Sequence, residues 1–201
     1  MKKLFTQSIV ILLIFAGAVS GCKKDSTDTN TTPPPGSTPL CDGTTSTSYF
    51  PLAVNDQWKY SGSSDAYIAT VLGIDTITST PYYRVHYVEG SINDWSRYYR
   101  VASNGDVYYR DDSGTEYEYV PANPVVNASW AFPATFGIGS RVVVSVNDSV
   151  ITSHCKYGNC VRINELDSHG NLITSYFYKQ GFGEVRETIF TANDVYAVTF
   201  Y

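Results

Sequence analysis

Two cysteines in the second half of the chain are the residues whose spacing most directly suggests chemistry. Cys155 and Cys160 enclose Lys-Tyr-Gly-Asn, a tetrapeptide with the composition of a turn. A turn would bring the two thiols together. Residues 1–21, described below, have the composition of a secretory leader, and we therefore expect an oxidising compartment in which a disulfide can form. A metal site that adds His154 is the alternative, but it lacks a fourth ligand. We therefore predict a Cys155–Cys160 disulfide and no metal site.

Four carboxylates surround a second predicted turn. Asp111, Asp112, Glu116 and Glu118 flank the sequence Ser-Gly-Thr. Calcium would need several of these oxygens to converge, and the alternating aspartates of an EF-hand loop are missing. In a strand the two glutamates would share one face, whereas the two aspartates would not. We interpret the group as a solvated hairpin turn. An envelope hydrolase that uses two of these carboxylates as an acid–base pair remains the alternative.

The other residues with catalytic potential do not form a known motif. His86, His154 and His169 are scattered, without the spacing of a zinc site, and no Gly-x-Ser-x-Gly sequence offers a serine nucleophile. The glycine pairs at 137–139 and 181–183 are not followed by a predicted helix, so neither is a phosphate-binding loop. We therefore predict no catalytic residue and no cofactor, and we expect a protein that is not an enzyme.

Aromatic residues are the strongest candidates for binding. The chain has 17 tyrosines and three tryptophans, more than its core requires. Flat rings with polar rims suit sugar faces and protein partners, but tyrosine is also a favoured strand residue. We expect Trp58 and Trp95, at strand starts, to favour core packing, and we leave Trp130 open between the two roles. The candidate ligand-binding residues are Trp130, Trp95, Tyr98 and Tyr108.

The N-terminus has the three parts of a secretory leader. Two lysines precede an apolar run over residues 9–18, and small residues follow. An apolar run of about ten residues is too short for a spanning helix, which needs roughly 20. We therefore expect residues 1–21 to be removed as a signal peptide.

The cysteine after the leader is the expected site of a lipid anchor. Val19-Ser20-Gly21-Cys22 resembles the lipobox of bacterial lipoproteins, in which the cysteine is acylated and becomes the new N-terminus. The resemblance implies anchoring through two or three acyl chains on Cys22, such as palmitate, which bind a membrane firmly. Lys23 stands where an aspartate would resemble an inner-membrane retention signal. The outer membrane is therefore favoured.

A polar segment separates the anchor from the rest of the chain. Residues 22–47 are mostly Lys, Asp, Ser, Thr, Asn, Gly and Pro, with three consecutive prolines. Such a segment buries too little apolar surface to offset its ordering entropy, so we predict a disordered tether. Cys41 lies within it and, in this interpretation, is free or paired between molecules.

The remaining residues, 48–201, have the size of a single domain. The chain carries a net charge of −5, and the loss of the two leader lysines makes the mature protein more acidic. Basic residues do not cluster in the sequence. We therefore exclude nucleic acid as a partner, and we also exclude electrostatic binding to anionic lipids.

Alternating apolar and polar residues predict strands throughout this domain. Tyr83, Val85 and Tyr87 share one face of a strand, and Val142, Val144 and Val146 repeat the pattern. Turn signals such as Asn-Gly separate these runs. We predict an all-β fold of about ten to twelve strands, mostly antiparallel with up-and-down connectivity, curled into an open barrel or folded as a sandwich. Residues 121–139, with three prolines, are predicted to be an irregular connection.

Both ends of the domain resemble a widespread class of uncharacterised envelope lipoproteins of Gram-negative bacteria. The resemblance rests on Tyr49-Phe50-Pro51-Leu52 and Gln57-Trp58-Lys59-Tyr60 at the start of the domain. Near its end it rests on Gly158-Asn159-Cys160-Val161-Arg162 and on Lys179-Gln180-Gly181-Phe182-Gly183-Glu184-Val185-Arg186. It implies an envelope location and no particular chemistry.

The sequence as a whole predicts an envelope lipoprotein with a non-catalytic binding domain. The expected partners are the membrane, through the lipid anchor, and a glycan, an apolar ligand or another envelope protein. A structural or assembly subunit is a further alternative. A dry apolar cavity or an aromatic platform would favour binding, whereas carboxylates that converge in a cleft with shifted pKa values would favour the hydrolase.

Overall fold

The computed structural model describes residues 40–41, 46–62, 66–90, 93–134, 137–153, 155–190 and 194–200. The predicted signal peptide, Cys22, most of the predicted tether and His154 lie outside the described residues.

Twelve strands form one antiparallel sheet, so the predicted all-β fold is confirmed. Consecutive strands pair with each other except for β6 and β7, and the first strand pairs with the last, which gives the predicted up-and-down connectivity. The strands are β1 Gln57–Ser61, β2 Ala66–Ile77, β3 Thr80–Glu89, β4 Asn93–Val101, β5 Val107–Arg110, β6 Glu116–Val120, β7 Ser129–Ala134, β8 Gly137–Ile151, β9 Lys156–Leu166, β10 Leu172–Lys179, β11 Gly183–Ile189 and β12 Asp194–Phe200.

The sheet curls into a nearly closed barrel whose two edge strands, β6 and β7, face each other across a seam. Side chains bridge this seam. The indole Nε1–H of Trp130 on β7 donates to the carbonyl oxygen of Glu118 on β6 at 2.7 Å. Arg141 Nη1 donates to the carbonyl oxygen of Tyr119 at 3.0 Å. These bonds satisfy carbonyls that would otherwise lie on an open sheet edge.

The predicted irregular connection over residues 121–139 is only partly present. Residues 121–128 do connect β6 and β7, but β7 and the start of β8 lie in the segment that we expected to be irregular. Pro133 is tolerated there because β7 is an edge strand, paired only with β8. On its unpaired side a missing backbone N–H costs no hydrogen bond to a neighbouring strand.

One end of the barrel is closed by residues from three of the four motifs that carry the resemblance described above. Phe50 stacks on Trp58 with ring centroids 4.8 Å apart, and both side chains are fully buried. The Trp58 indole donates to the carbonyl of Phe182 at 3.0 Å. Gly183 has a φ of +85°, and a Cβ there would lie 2.6 Å from Trp58 Nε1. Only a residue without a side chain lets the Trp58 indole of β1 lie against the start of β11. We call the Phe50 ring that covers this contact the Phe50 plug.

The disulfide prediction was wrong. Cys155 pairs with Cys41, and Cys160 is a buried free thiol. The supposed turn after Cys155 is instead the start of strand β9. Five residues of extended chain separate two Cα atoms by roughly 16 Å, far beyond the reach of a disulfide. Cys41, which we had assigned to the tether, lies beside the start of β9, where its N–H donates to the carbonyl of Lys156.

Candidate ligand-binding lumen

The barrel interior opens as a cavity at the end opposite the Phe50 plug. Strand β11 runs from Gly183, which contacts Trp58 at the closed end, to Ile189 at the cavity. This cavity has a volume of about 430 Å³, and a smaller one of about 110 Å³ adjoins it deeper in the barrel. The two share Arg97, Tyr119, Tyr176 and Glu187 as lining residues. We call the two together the lumen.

A buried ion pair forms one wall of the lumen. Arg141 on β8 donates through Nε and Nη2 to one carboxylate oxygen of Glu165 on β9, at 3.2 and 3.0 Å. The guanidinium also lies 3.7 Å from the Phe132 ring centroid and 4.6 Å from that of Tyr176. Because both charges have partners, the pair can remain ionised although it is shielded from solvent.

For the strand that carries Arg141, our prediction of which side chains face inward was wrong. We expected Val142, Val144 and Val146 to form the apolar inner face, but Val143 is fully buried and Val146 is exposed. Arg141 therefore faces inward with Val143. An inward arginine is acceptable here because Glu165 and the aromatic rings compensate its charge.

Two further carboxyl groups face the lumen from β11. Glu184 and Glu187 are both buried and line the smaller cavity. Tyr67 donates to Glu187 Oε2 at 3.0 Å, and the Tyr60 hydroxyl lies 3.4 Å from Glu184 Oε2. Burial raises the pKa of both carboxyls, and the charge of Glu187 raises the pKa of Glu184 further. The pair therefore holds protons at pH values where an exposed glutamate is ionised.

Arg97 on β4 adds a positive charge to the lumen. Its guanidinium carbon lies 5.3 Å from the Tyr87 ring centroid and 5.9 Å from that of Tyr109. The side chain is exposed because it borders the cavity, and it lines both parts of the lumen. In the described part of the chain, no carboxylate lies within ion-pair distance of it.

Stacked aromatic rings support these charged groups. Tyr60 stacks on Tyr67 at 4.1 Å, and Tyr87 stacks on Trp95 at 5.3 Å. The hydroxyls of Tyr87 and Tyr99 are hydrogen-bonded at 2.9 Å. Much of the aromatic surplus seen in the sequence therefore lines or supports the lumen, where it keeps the charged side chains in fixed positions.

The structure separates the four candidate ligand-binding residues. Trp95 faces the lumen and packs against the core, as we expected of it together with Trp58. Tyr98 and Tyr108 lie on the outer face of the sheet, where Arg100 covers the Tyr108 ring at 4.7 Å. Trp130 lies at the seam, half-buried, and borders a shallow groove. The four residues do not form one site.

The carboxylates around Asp111 are used in local structure. Asp111 accepts hydrogen bonds from Ser113 Oγ at 2.7 Å and from the Thr115 backbone N–H at 2.8 Å, which together lower its pKa. Glu116 accepts two bonds from Arg100 and one from the Tyr82 hydroxyl on the outer face. The turn prediction is therefore consistent with the structure, and these carboxylates do not meet in a cleft.

Sequence reasoning missed the charged residues of the lumen. Arg97, Arg141, Glu165, Glu184 and Glu187 were not among our candidates. Arg97 carried one usable signal, because it lies two residues after Trp95 and must share its face of the strand. In the described residues, no three histidine, cysteine, aspartate or glutamate side chains lie close enough together to hold a metal ion. The described ranges also contain no helix long and apolar enough to cross a membrane.

No family model matches the sequence, and no curated protein matches it either. One solved structure with a similar outline is a Bacteroides fragilis NCTC 9343 protein, assigned as exported and described as having a YmcC-like fold. It is 11% identical, with a TM-score of 0.45 over 76% of this chain and 98% of that chain.

A second solved structure is a Parabacteroides distasonis ATCC 8503 protein assigned as a lipoprotein. It is 14% identical, with a TM-score of 0.45 over 80% of this chain and 100% of that chain.

Proposed function

We propose that this chain is a lipid-anchored envelope protein whose barrel binds a small polar ligand in its lumen without converting it. The observation that carries the proposal is the lumen cavity of about 430 Å³, which is bordered by the unpaired charge of Arg97. Ligand pockets typically span about 300–1,000 Å³ and combine apolar walls with a few placed polar groups.

The character of the lining favours a polar ligand such as a glycan over an apolar one. Arg97, Thr174 and Glu187 line the cavity beside the rings of Tyr109 and Tyr176. An apolar ligand would remove water from these polar groups without replacing its hydrogen bonds, which costs free energy. A saccharide offers hydroxyls to the charged groups and a flat face to the rings.

The envelope location is supported by the leader and the lipobox resemblance. Acylation of Cys22 and residence in the outer membrane are tested by growing cells with a labelled fatty acid and separating their membranes. We expect label on the wild-type protein in the outer-membrane fraction, and no label on Cys22→Ser. Label in the inner-membrane fraction alone would contradict the outer-membrane assignment.

A hydrolase is the second candidate, now based on different residues from those near Asp111. Glu184 and Glu187 converge at the lumen with raised pKa values, which is the arrangement that an acid–base pair requires. A non-catalytic role is preferred because both carboxyls already accept hydrogen bonds from tyrosines within the barrel wall.

Binding is tested by native mass spectrometry of the mature protein with soluble envelope saccharides. Ile189→Trp places a large ring at the lumen, whereas Thr188→Trp, one residue earlier on β11, points outward and is the matched control. We expect saccharide bound to wild type and Thr188→Trp, and none bound to Ile189→Trp. Equal binding to all three would exclude the lumen, and a cleaved saccharide would favour the hydrolase.

A further inference from the structure

Arg97 differs from the other lumen arginine in having no anionic partner. Arg141 is paired with Glu165 at 3.0 Å, whereas the described residues place no carboxylate within ion-pair distance of Arg97. The faces of Tyr87 and Tyr109 compensate its charge only in part. Beyond ion-pair distance, its charge also favours the ionised forms of Glu184 and Glu187, although burial still holds the pKa of both carboxyls above the usual range. An arginine that borders a cavity without a carboxylate in ion-pair distance can bind an anionic ligand through charge-assisted hydrogen bonds.

A second unpaired donor lies beside Arg97. Trp95 is two residues earlier on β4 and borders the same smaller cavity. Its indole Nε1 is buried and has no hydrogen-bond acceptor among the protein atoms. Buried indole N–H groups normally have an acceptor, because leaving one unpaired costs free energy. The cavity therefore contains two donors that share one face of the strand and need an acceptor.

A third group in this cavity can become a donor. Glu184 is almost fully buried, and its Oε1 has no hydrogen-bond partner among the protein atoms. A protonated carboxyl carries an O–H that can donate to an oxygen of a bound anion.

Given the proposed ligand-binding role of the lumen, on which this inference rests, we infer that Arg97 and Trp95 form a subsite for an anionic group. The group is a carboxylate or phosphate carried by a small polar ligand. The planar guanidinium supplies charge-assisted hydrogen bonds, the indole N–H supplies one more, and the rings of the larger cavity contact the rest of the ligand.

The subsite has a defined dependence on pH. An anion next to Glu184 and Glu187 is repelled when they ionise, so its affinity falls as the pH rises through their raised pKa values. Several titratable and charged groups face these two carboxyls from the surrounding strands. They are Tyr60, Tyr67, Tyr87, Arg97, Tyr119, Arg141, Glu165, Tyr176, Tyr178 and Tyr196.

The inference is tested by calorimetric titration of the mature protein with three probes. D-glucuronate and methyl glucoside share the same pyranose ring. They differ at C6, which is a carboxylate in glucuronate and a hydroxymethyl group in the glucoside, and in the methyl group that the glucoside carries at its anomeric oxygen. Inorganic phosphate tests the anion alone. We expect glucuronate and phosphate to bind, and methyl glucoside to bind about tenfold more weakly than glucuronate or not at all, as the loss of a charge-assisted bond implies. The subsite would be overturned if both sugars bind with the same affinity, or if neither glucuronate nor phosphate binds.

Substitutions at Arg97 test whether this residue binds the anion. Arg97→Gln should lose glucuronate binding by about tenfold or more, Arg97→Lys should retain part of it, and the outer-face control Arg84→Gln should leave it unchanged. Unchanged binding in folded Arg97→Gln would overturn the inference. If Arg97→Gln does not fold, the indole N–H signal of Trp95 in the NMR spectrum of the wild type decides. We expect this signal to shift with glucuronate, and no shift would overturn the subsite.

Failure of the subsite and failure of the proposed function give different results. If methyl glucoside binds as well as glucuronate and Ile189→Trp abolishes both, the lumen binds polar ligands but contains no anion subsite. If neither sugar binds while phosphate binds and Arg97→Gln abolishes it, the anion subsite is present but the saccharide proposal fails.

Discussion

Glu184 and Glu187 are three residues apart on β11, yet both side chains face the lumen. In a regular strand, residues three apart point to opposite faces. The register of β11 against β10 shifts between Tyr178, opposite Glu184, and Phe177, opposite Arg186. Val185 is the extra, unpaired residue of a β-bulge. The bulge shifts the alternation by one residue, so that both carboxyls lie on the inner face of the sheet. Because of this bulge the two carboxyls share one face, and the charge of Glu187 raises the pKa of Glu184.

The first prediction concerns the pH dependence of stability. Burial raises the pKa of Glu184 in the folded state, so the folded state holds a proton that the unfolded chain releases near pH 4 to 5. The stability of the wild type should therefore fall as the pH rises above that range. Glu184→Gln keeps the shape without the proton, so its unfolding free energy should exceed that of the wild type at pH 8 and match it near pH 4.

Glu116→Gln serves as the contrasting variant. The hydrogen bonds from Arg100 lower the pKa of Glu116, so its contribution to stability is present at neutral pH and is lost as the pH falls. In urea unfolding across pH 4–8, we compare the unfolding free energy of each variant with that of the wild type. This difference should move in favour of Glu184→Gln as the pH rises, and against Glu116→Gln. Parallel trends would contradict our assignment of a protonated Glu184.

The second prediction concerns the glycine beneath Trp58. Gly183→Ala introduces a Cβ at 2.6 Å from the indole nitrogen on a residue with a φ of +85°. The backbone conformation alone costs about 1–2 kcal/mol, and the steric clash adds to it, so we expect a loss of at least about 2 kcal/mol in urea unfolding. Gly158→Ala is the control, because a Cβ there has open space. A small effect of Gly183→Ala would mean that Trp58 can move.

The third prediction concerns the disulfide. Cys41 and Cys155 are 114 residues apart in sequence, so the bond restricts a large loop of the unfolded chain. Cys41→Ser should lower stability by about 3–5 kcal/mol under non-reducing conditions. Non-reducing peptide mapping of the wild type should recover the Cys41–Cys155 peptide. A Cys155–Cys160 peptide would contradict the structure.

Cys160 provides the control for this experiment. Its thiol is fully buried, and burial raises its pKa to about 11. A thiol reagent should therefore modify Cys160 only after unfolding, since the thiolate is the reactive form. Cys160→Ala should retain the disulfide and lose only about 1 kcal/mol.

The fourth prediction concerns the seam between β6 and β7. Trp130→Phe keeps an aromatic ring but removes the N–H that donates to Glu118. We expect the unfolding free energy to fall by about 1 kcal/mol. Relative to the wild type, hydrogen exchange should increase more in β6 and β7 than in the central strands. Tyr98→Phe, on the outer face, is the matched control. Exchange that rises equally across the sheet would indicate global destabilisation instead of an opened seam.

Ligand binding should be unaffected by Trp130→Phe if the lumen is the site. Trp130 borders a different groove from the one that contains Arg97. Loss of saccharide binding in a folded Trp130→Phe protein would restore Trp130 as a candidate contact.

Part of the site could be predicted from local patterns, and part could not. The alternation of Tyr83, Val85 and Tyr87 correctly indicated an inward face. The same rule applied to the valines after Arg141 reversed the faces, because valine occupies both sides of that strand. Sequence alternation also places Glu184 and Glu187 on opposite faces, since it does not reveal the bulge at Val185.

The sequence by itself determined the all-β class and the up-and-down order, because period-2 alternation and turn residues are local properties. The lipid anchor also follows from a local property, the composition of the leader, and stays a prediction. Only the tertiary structure decided which charges face the lumen, which cysteine pairs with Cys155, and how the motifs around Phe50, Trp58 and Gly183 close the barrel. Those outcomes depend on strand register and on contacts between residues more than a hundred positions apart, which no local pattern records.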